Sequence, residues 1–252
     1  MSEQPDNHEQ EEPLAEGTLM SHLLELRSRL LKAVAAVGVV FLALSPFTQR
    51  VFEVVSAPLI AVLPEGSQMI ATDVASPFVT PFKTTFFVSL FIAMPIVIFQ
   101  VWQFVAPGLY KREKKFAIPL IFSSIVLFYT GIAFAYFVVF RLMFSFFARV
   151  VPGGVTMAPD ISSYLSFVLG IFLAFGIAFE VPIATVMLIW SGLVSLKTLQ
   201  SGRRYMFLAA FVFGLLLTPD MFSQTLLALP MYLLYEGGMI MAKIMVPEKT
   251  KS

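Results

Sequence analysis

Long apolar runs dominate the chain after residue 30, and short polar stretches separate them. They fall roughly at 30–50, 83–105, 116–140, 163–190, 204–218 and 221–242. A bilayer core about 30 Å thick needs about 20 helical residues at about 1.5 Å each. The run at 204–218 is too short for that. Thr218-Pro219-Asp220 joins it to the last run as a turn. A short hairpin with its tip below the outer surface, over thinned lipid, satisfies this length. So does a pair that dips into the bilayer and returns.

Ahead of the first run, residues 19–32 (LMSHLLELRSRLLK) show a helical period. His22, Glu25, Arg29 and Lys32 share one face, and Leu19, Leu23, Leu26, Leu30 and Leu31 the other. Arg27 lands on the apolar side and needs a partner or a reach to the headgroups. Residues 1–17 hold six of the sixteen carboxylates and little to bury, which reads as a disordered acidic tail. They lack the basic start and apolar stretch of a secretory signal. The expected layout is a tail over 1–17, a six-helix membrane domain over 18–247 and a second tail over 248–252.

Composition agrees. Hydrophobic residues make up 58% and charged residues 13%, against about 45–50% and about 25% in soluble domains. This predicts an all-α polytopic membrane protein. Cysteine is absent, so disulfides, thiolate metal sites and cysteine nucleophiles are excluded. Both histidines, His8 and His22, precede the first run, so no histidine metal site is expected in the membrane. No phosphate-binding glycine loop occurs, and a net charge of +1 gives no footprint for nucleic acid. No cofactor is expected.

Basic residues set the orientation. With the N-terminus inside, thirteen lysines and arginines fall on the inner side and four (Arg50, Lys83, Arg141, Arg149) on the outer. That excess places both termini in the cytoplasm. Pro95, Pro119, Pro182 and Pro230 interrupt four runs, and bent helices make a concave, glove-like bundle. The outer loop 45–82 carries five prolines, and its stretch 51–63 reads as a cap lying flat on the membrane. There is no convincing internal repeat.

Five polar positions stand out. Glu180 lies within LAFGIAFEVPIATVML, where a carboxylate costs several kcal/mol unless protonated or solvated. It is either a polar site on a wet groove or a structural hydrogen bond between helices. Asp220 opens the last helix as an N-cap, and Gln224 lies one turn on, so the two form a polar patch at the hairpin tip. Glu25 sits four residues before Arg29, the spacing of an intrahelical ion pair. Glu113 is the acid within Lys111-Arg112-Glu113-Lys114-Lys115, a loop otherwise read as topology-setting charge.

Four stretches carry a family resemblance. His22-Leu23-Leu24-Glu25-Leu26-Arg27-Ser28-Arg29-Leu30 resembles the N-terminal signature of TatC, the large membrane subunit of the twin-arginine protein translocase. The run from Phe104 to Glu113 (FVAPGLYKRE) is similar to its first cytoplasmic loop. Phe179-Glu180-Val181-Pro182 and the run from Thr218 to Gln224 (TPDMFSQ) are similar to its fourth helix and last hairpin. The likeness covers nearly the whole chain after residue 18.

The resemblance implies a cytoplasmic-membrane receptor, not an enzyme, for signal peptides that carry two consecutive arginines on folded cargo, with export driven by the proton-motive force. It implies that Glu25 and Glu113 contact the arginine pair, that Phe104 packs the adjoining apolar part of the peptide and that Arg27 organises the site. It gives Pro58 and Pro95 shaping roles. Partners would be single-span TatA/TatB-type subunits, one docking near Gln224, and further copies in a larger complex. The chemistry is sound: a guanidinium makes two parallel bonds to a carboxylate, a fork lysine lacks. The four cations around Glu113 oppose it, so Glu113 must face Glu25 while the lysines point to lipid phosphates. A proton-coupled small-molecule carrier using Glu180 is the alternative, but it calls for matched repeats and more polar groups at mid-membrane. An intramembrane hydrolase lacks a base near Ser123, Ser124 or Ser166.

Overall fold

The structure, a computed structural model, describes residues 12–60, 69–105, 114–150, 158–192, 194–217 and 220–245. Helix α1 (Glu12–Leu44) passes through a 3-10 turn (Ser45–Phe47) into α2 (Thr48–Ile60). Helix α3 (Ser76–Val105) follows, then α4 (Lys114–Phe134), a π-helical turn (Ala135–Val139) and α5 (Phe140–Val150). The second half comprises α6 (Ile161–Ala178), α7 (Val181–Trp190), the short α8 (Leu196–Ser201), α9 (Arg203–Leu217) and α10 (Met221–Met245).

Five stretches are long and apolar enough to cross a membrane: Met20–Ala57, Ser76–Val105, Ile118–Phe147, Ile161–Trp190 and Met221–Ile244. Helix α9 has 15 residues and reaches about 22 Å, so the short run remains short. Its partner α10 has 25 residues. The extra length of α10 packs against α7 and α8. The final hairpin is thus one short helix and one full-length helix.

Several boundaries move from their expected places, each for a local reason. Helix α1 begins at Glu12, inside the stretch read as tail, where Glu12 and Pro13 are residue types suited to a first turn. Helix α3 begins at Ser76 rather than near 83. Its first turns carry Thr84, Thr85 and Ser89, all buried, whose hydroxyls donate to carbonyls one turn back: Thr84 to Thr80 at 2.8 Å, Thr85 to Pro81 at 2.8 Å and Ser89 to Thr85 at 2.7 Å. These polar residues satisfy themselves within the helix, so they can be buried at little cost. The third span continues through α5, whose amphipathic sequence hides it from a hydropathy reading. Helix α2 packs on α3 through Phe52 and Val55 at the edge of the core.

The core is built largely of phenylalanine. Phe91, Phe128 and Phe175 are buried, with Phe172 and Phe134 packed against them. Helices α4 and α6 approach so closely that a Cβ on Gly131 would lie 2.4 Å from the Phe175 carbonyl oxygen, and one on Gly176 2.5 Å from the Phe128 ring. Only glycine fits there. The outer surface is apolar: Val39, Leu42, Phe122, Phe137 and Leu216 are exposed. A surface of that kind is stable facing lipid. Packing runs from α1 to α3, to α4 and α6, to α7, to α10 and to α9. Helices α9 and α10 also touch α6.

Candidate functional site

Two polar centres sit on this frame. The first joins the N-terminal part of α1 to the end of α3. Glu25 and Arg29 are one turn apart, so their side chains meet. Arg29 donates to Glu25 Oε1 through Nε at 3.0 Å and through Nη2 at 2.5 Å. Its other nitrogen, Nη1, donates to Gln103 Oε1 on α3. His22 lies 3.9 Å from Glu25 Oε2 through Nδ1. The His22 ring stacks on Phe104 with centroids 4.7 Å apart and planes 22° from parallel. Glu25 and Phe104, separated by 79 positions in the sequence, thus belong to one patch.

Other expected members fall differently. Arg27 is exposed and, two residues on from Glu25, points to the opposite side of α1. It forms no ion pair with any described residue. Pro95 lies inside α3, half-buried. Pro58 lies within α2, and its side chain is outside the described residues, as is Glu113 altogether.

The second centre lies deep in the bundle, where α6 breaks into α7. Pro182 has no N–H, so the helix cannot run through it unbroken. Phe179 and Glu180 form a turn, and the Glu180 N–H bonds to the Ile177 carbonyl at 3.0 Å. The break turns Glu180 toward α4 and α3. Ser124 on α4 donates to Glu180 Oε2, and Trp102 Nε1 on α3 donates to Ser124 Oγ at 2.9 Å. Three helices are therefore linked by one polar chain. Glu180 Oε1 is buried and accepts no hydrogen bond from any described residue. A half-satisfied buried carboxylate is expensive to keep.

At the hairpin tip, Asp220 accepts from the Ser223 N–H at 2.7 Å, an N-cap as the sequence predicts. Gln224 donates through Nε2 to the Phe211 carbonyl at 2.9 Å and packs over Gly214. Its amide thereby locks α9 to α10. On the far side, Asp160 caps α6 by accepting from Ser163 N–H at 2.8 Å. It also accepts from Thr72 Oγ1 at 2.8 Å and Thr72 N–H at 3.1 Å. These bonds hold its carboxyl well below the usual carboxylate range.

Sequence reasoning missed Gln103, Trp102, Ser124 and the Asp160–Thr72 clasp. It also missed Glu236, which takes Arg203 at 2.9 Å and the Tyr232 hydroxyl at 2.9 Å. A signal existed for Gln103 and Trp102. They are the polar-capable residues in an apolar run next to Phe104, and such residues need partners.

Comparison with known proteins agrees with these features. Residues 21–230 match the family described as Sec-independent protein translocase protein (TatC). The chain is 58% identical over 239 residues to a Sec-independent protein translocase protein TatC from Azotobacter chroococcum, covering 94% of this chain and 91% of the relative. The same-named Escherichia coli protein is 55% identical over 229 residues, covering 90% and 89%. A crystal structure titled twin arginine translocase receptor TatC superposes with a TM-score of 0.80 at 36% identity, covering 88% of this chain and 98% of that one. The chain belongs to the TatC family, the membrane-embedded subunits of the twin-arginine, or Sec-independent, protein translocase.

Proposed function

We propose that the corner formed by α1 and α3 receives signal peptides carrying two consecutive arginines. Glu25 binds one guanidinium, and Glu113 in the following loop binds the other. Phe104 packs the apolar part of the peptide beside them, and Arg27 orients the loop or the lipid around the site. Pro58 and Pro95 shape the scaffold, Pro95 by bending α3 below Phe104. The observation that carries this reading is the union of a half-buried Glu25 with the face of Phe104 through His22. A carboxylate next to an aromatic surface matches a peptide with a cationic end and an apolar continuation.

In the same reading the chain sits in the cytoplasmic membrane with both termini inside. It works with single-span TatA/TatB-type subunits and further copies of itself. A partner helix meets the α9–α10 edge near Asp220 and Gln224. Glu180 keeps the concave side wet and the bilayer locally thin. The proton-motive force drives transport, at about 2.3 kcal/mol per charge per 100 mV.

The test is a photocrosslinker placed beside the arginine pair of a signal peptide. It should label residues 22–29 and 104–113 of the protein in native membranes. Labelling confined to α9 and α10 would move the receiving site elsewhere.

A further inference from the structure

We infer that Arg29 is an internal stand-in for the incoming arginine, and that Gln103 is the acceptor that keeps it when it is displaced. The inference rests on the reading of Glu25 as a receiving carboxylate. Arg29 spends two of its donors on one Glu25 oxygen and a third on Gln103. Glu25 is therefore engaged by a guanidinium in the resting protein, through two donors on its Oε1. The carboxylate is half-buried, and leaving such a group without a charge partner is costly. Occupation by Arg29 avoids that state before a peptide arrives.

Binding is then an exchange of one guanidinium for another at Glu25. The released Arg29 does not fall into solution. Its Nη1 bond to Gln103 already ties it to α3, so it swings on that anchor. The exchange sets a threshold. A ligand must form contacts at Glu25 at least as good as those of Arg29. A lysine, a point charge with no fork, does so poorly. The occupant weakens every ligand by a common factor, so weak ligands fall below occupancy while a forked pair stays above it. Three features separate this role from a plain structural ion pair: the shared Glu25 oxygen, the cross-helix acceptor and the adjoining Phe104 face.

The experiment measures binding of a fluorescent twin-arginine signal peptide, and of its lysine–lysine counterpart, to the full-length protein in nanodiscs. Arg29→Gln should tighten both by a common factor of about fivefold, the upper range of a partly exposed ion pair. Arg29→Lys keeps the charge but loses the fork, and it should tighten binding nearly as much. If Arg29→Lys matches the unmodified protein while Arg29→Gln tightens, simple charge repulsion is at work and the inference is wrong. Weaker binding of both peptides by either variant would make Arg29 a scaffold residue and overturn it. Gln103→Met removes a bond that Arg29 keeps before and after the exchange, so twin-arginine affinity should change by no more than about twofold; a larger change would mean that Gln103 holds Arg29 in one state alone and would overturn the anchor. Glu25→Gln is the control for the underlying reading. Undiminished binding by that variant would remove the receiving role of Glu25 itself. Loss of binding by it, with Arg29 variants unchanged, would remove the stand-in alone.

Discussion

Glu25 and Glu180 are the same chemical group in opposite surroundings. Glu25 lies one turn from an arginine in the N-terminal half of α1 and is ion-paired and half-buried. Glu180 lies at a helix break deep in the bundle, held by a neutral serine, with its second oxygen unsatisfied among the described residues. In the proposed reading, the carboxylate that already holds a guanidinium exchanges it for another. A carboxylate held by one hydroxyl, which an indole holds in turn, keeps a fixed direction and an open acceptor. In that reading the difference separates a proposed recognition site on α1 from a polar link between packed helices.

The largest expected effect breaks the surface side of this comparison. Glu25→Ala combined with Glu113→Ala should weaken twin-arginine peptide binding on the order of a hundredfold or more, since each charge-assisted contact contributes roughly 1.5–3 kcal/mol. Circular dichroism and thermal unfolding should stay close to those of the unmodified protein. Peptide titration checks the first and melting the second.

The buried side responds through stability. Ser124→Ala removes the donor to Glu180 and leaves the Trp102 indole without its acceptor. The cost should be about 1–3 kcal/mol in the unfolding equilibrium, with peptide affinity within about twofold. Glu180→Leu added to Ser124→Ala should recover part of the loss, because an apolar pair has no buried polar atoms to satisfy. A double-mutant cycle with no coupling would mean that the chain from Trp102 to Glu180 is not an energetic unit.

Glu180→Gln is a gentler probe. It keeps the shape and an acceptor for Ser124 but loses the charge. Peptide recognition should change by no more than about twofold, because Glu180 lies about 15 Å from the Trp190 end of its span at helical rise. Transport of a folded reporter in inverted vesicles should fall more than binding does. Equal losses in both would merge the two sites that the comparison separates.

Much of this arrangement is legible in the residues themselves. The apolar runs mark the spans, and Pro182 marks the break that places Glu180. The spacing of Glu25 and Arg29 states their ion pair, and Asp220 announces its cap. The rest was hidden for physical reasons. Residues 76–82 look like loop, yet α3 already includes them, and the Thr80 and Pro81 carbonyls accept from the hydroxyls of Thr84 and Thr85. Gln103 and Trp102 find partners on other helices, and helical periodicity carries no information about which helices will be neighbours. The clasp between Thr72 and Asp160 spans 88 positions and depends on a backbone bridge from Ile70.

That clasp gives the smallest and most local prediction. Asp160 accepts from Thr72 and Ser163 and is depressed below its ordinary carboxylate value by those bonds. A depressed folded-state pKa contributes stability that is present above the unfolded value, near 4, and is lost as pH falls through the folded one. Amide exchange at Thr72 and Ser163 should therefore be slow and pH-corrected rates flat above about pH 5, then rise on acidification. The Ile161 N–H, which donates to the Ile70 carbonyl at 2.9 Å, should follow them. Asp160→Asn keeps one acceptor but removes the charge, so it should show the faster exchange already at neutral pH and lose the acid dependence. The α1–α3 corner shares no residue with this clasp, so twin-arginine peptide affinity should not move in the variant. A parallel change in affinity would mean that the Thr72–Asp160 clasp and the α1–α3 corner are coupled through α3, whose opposite ends they hold.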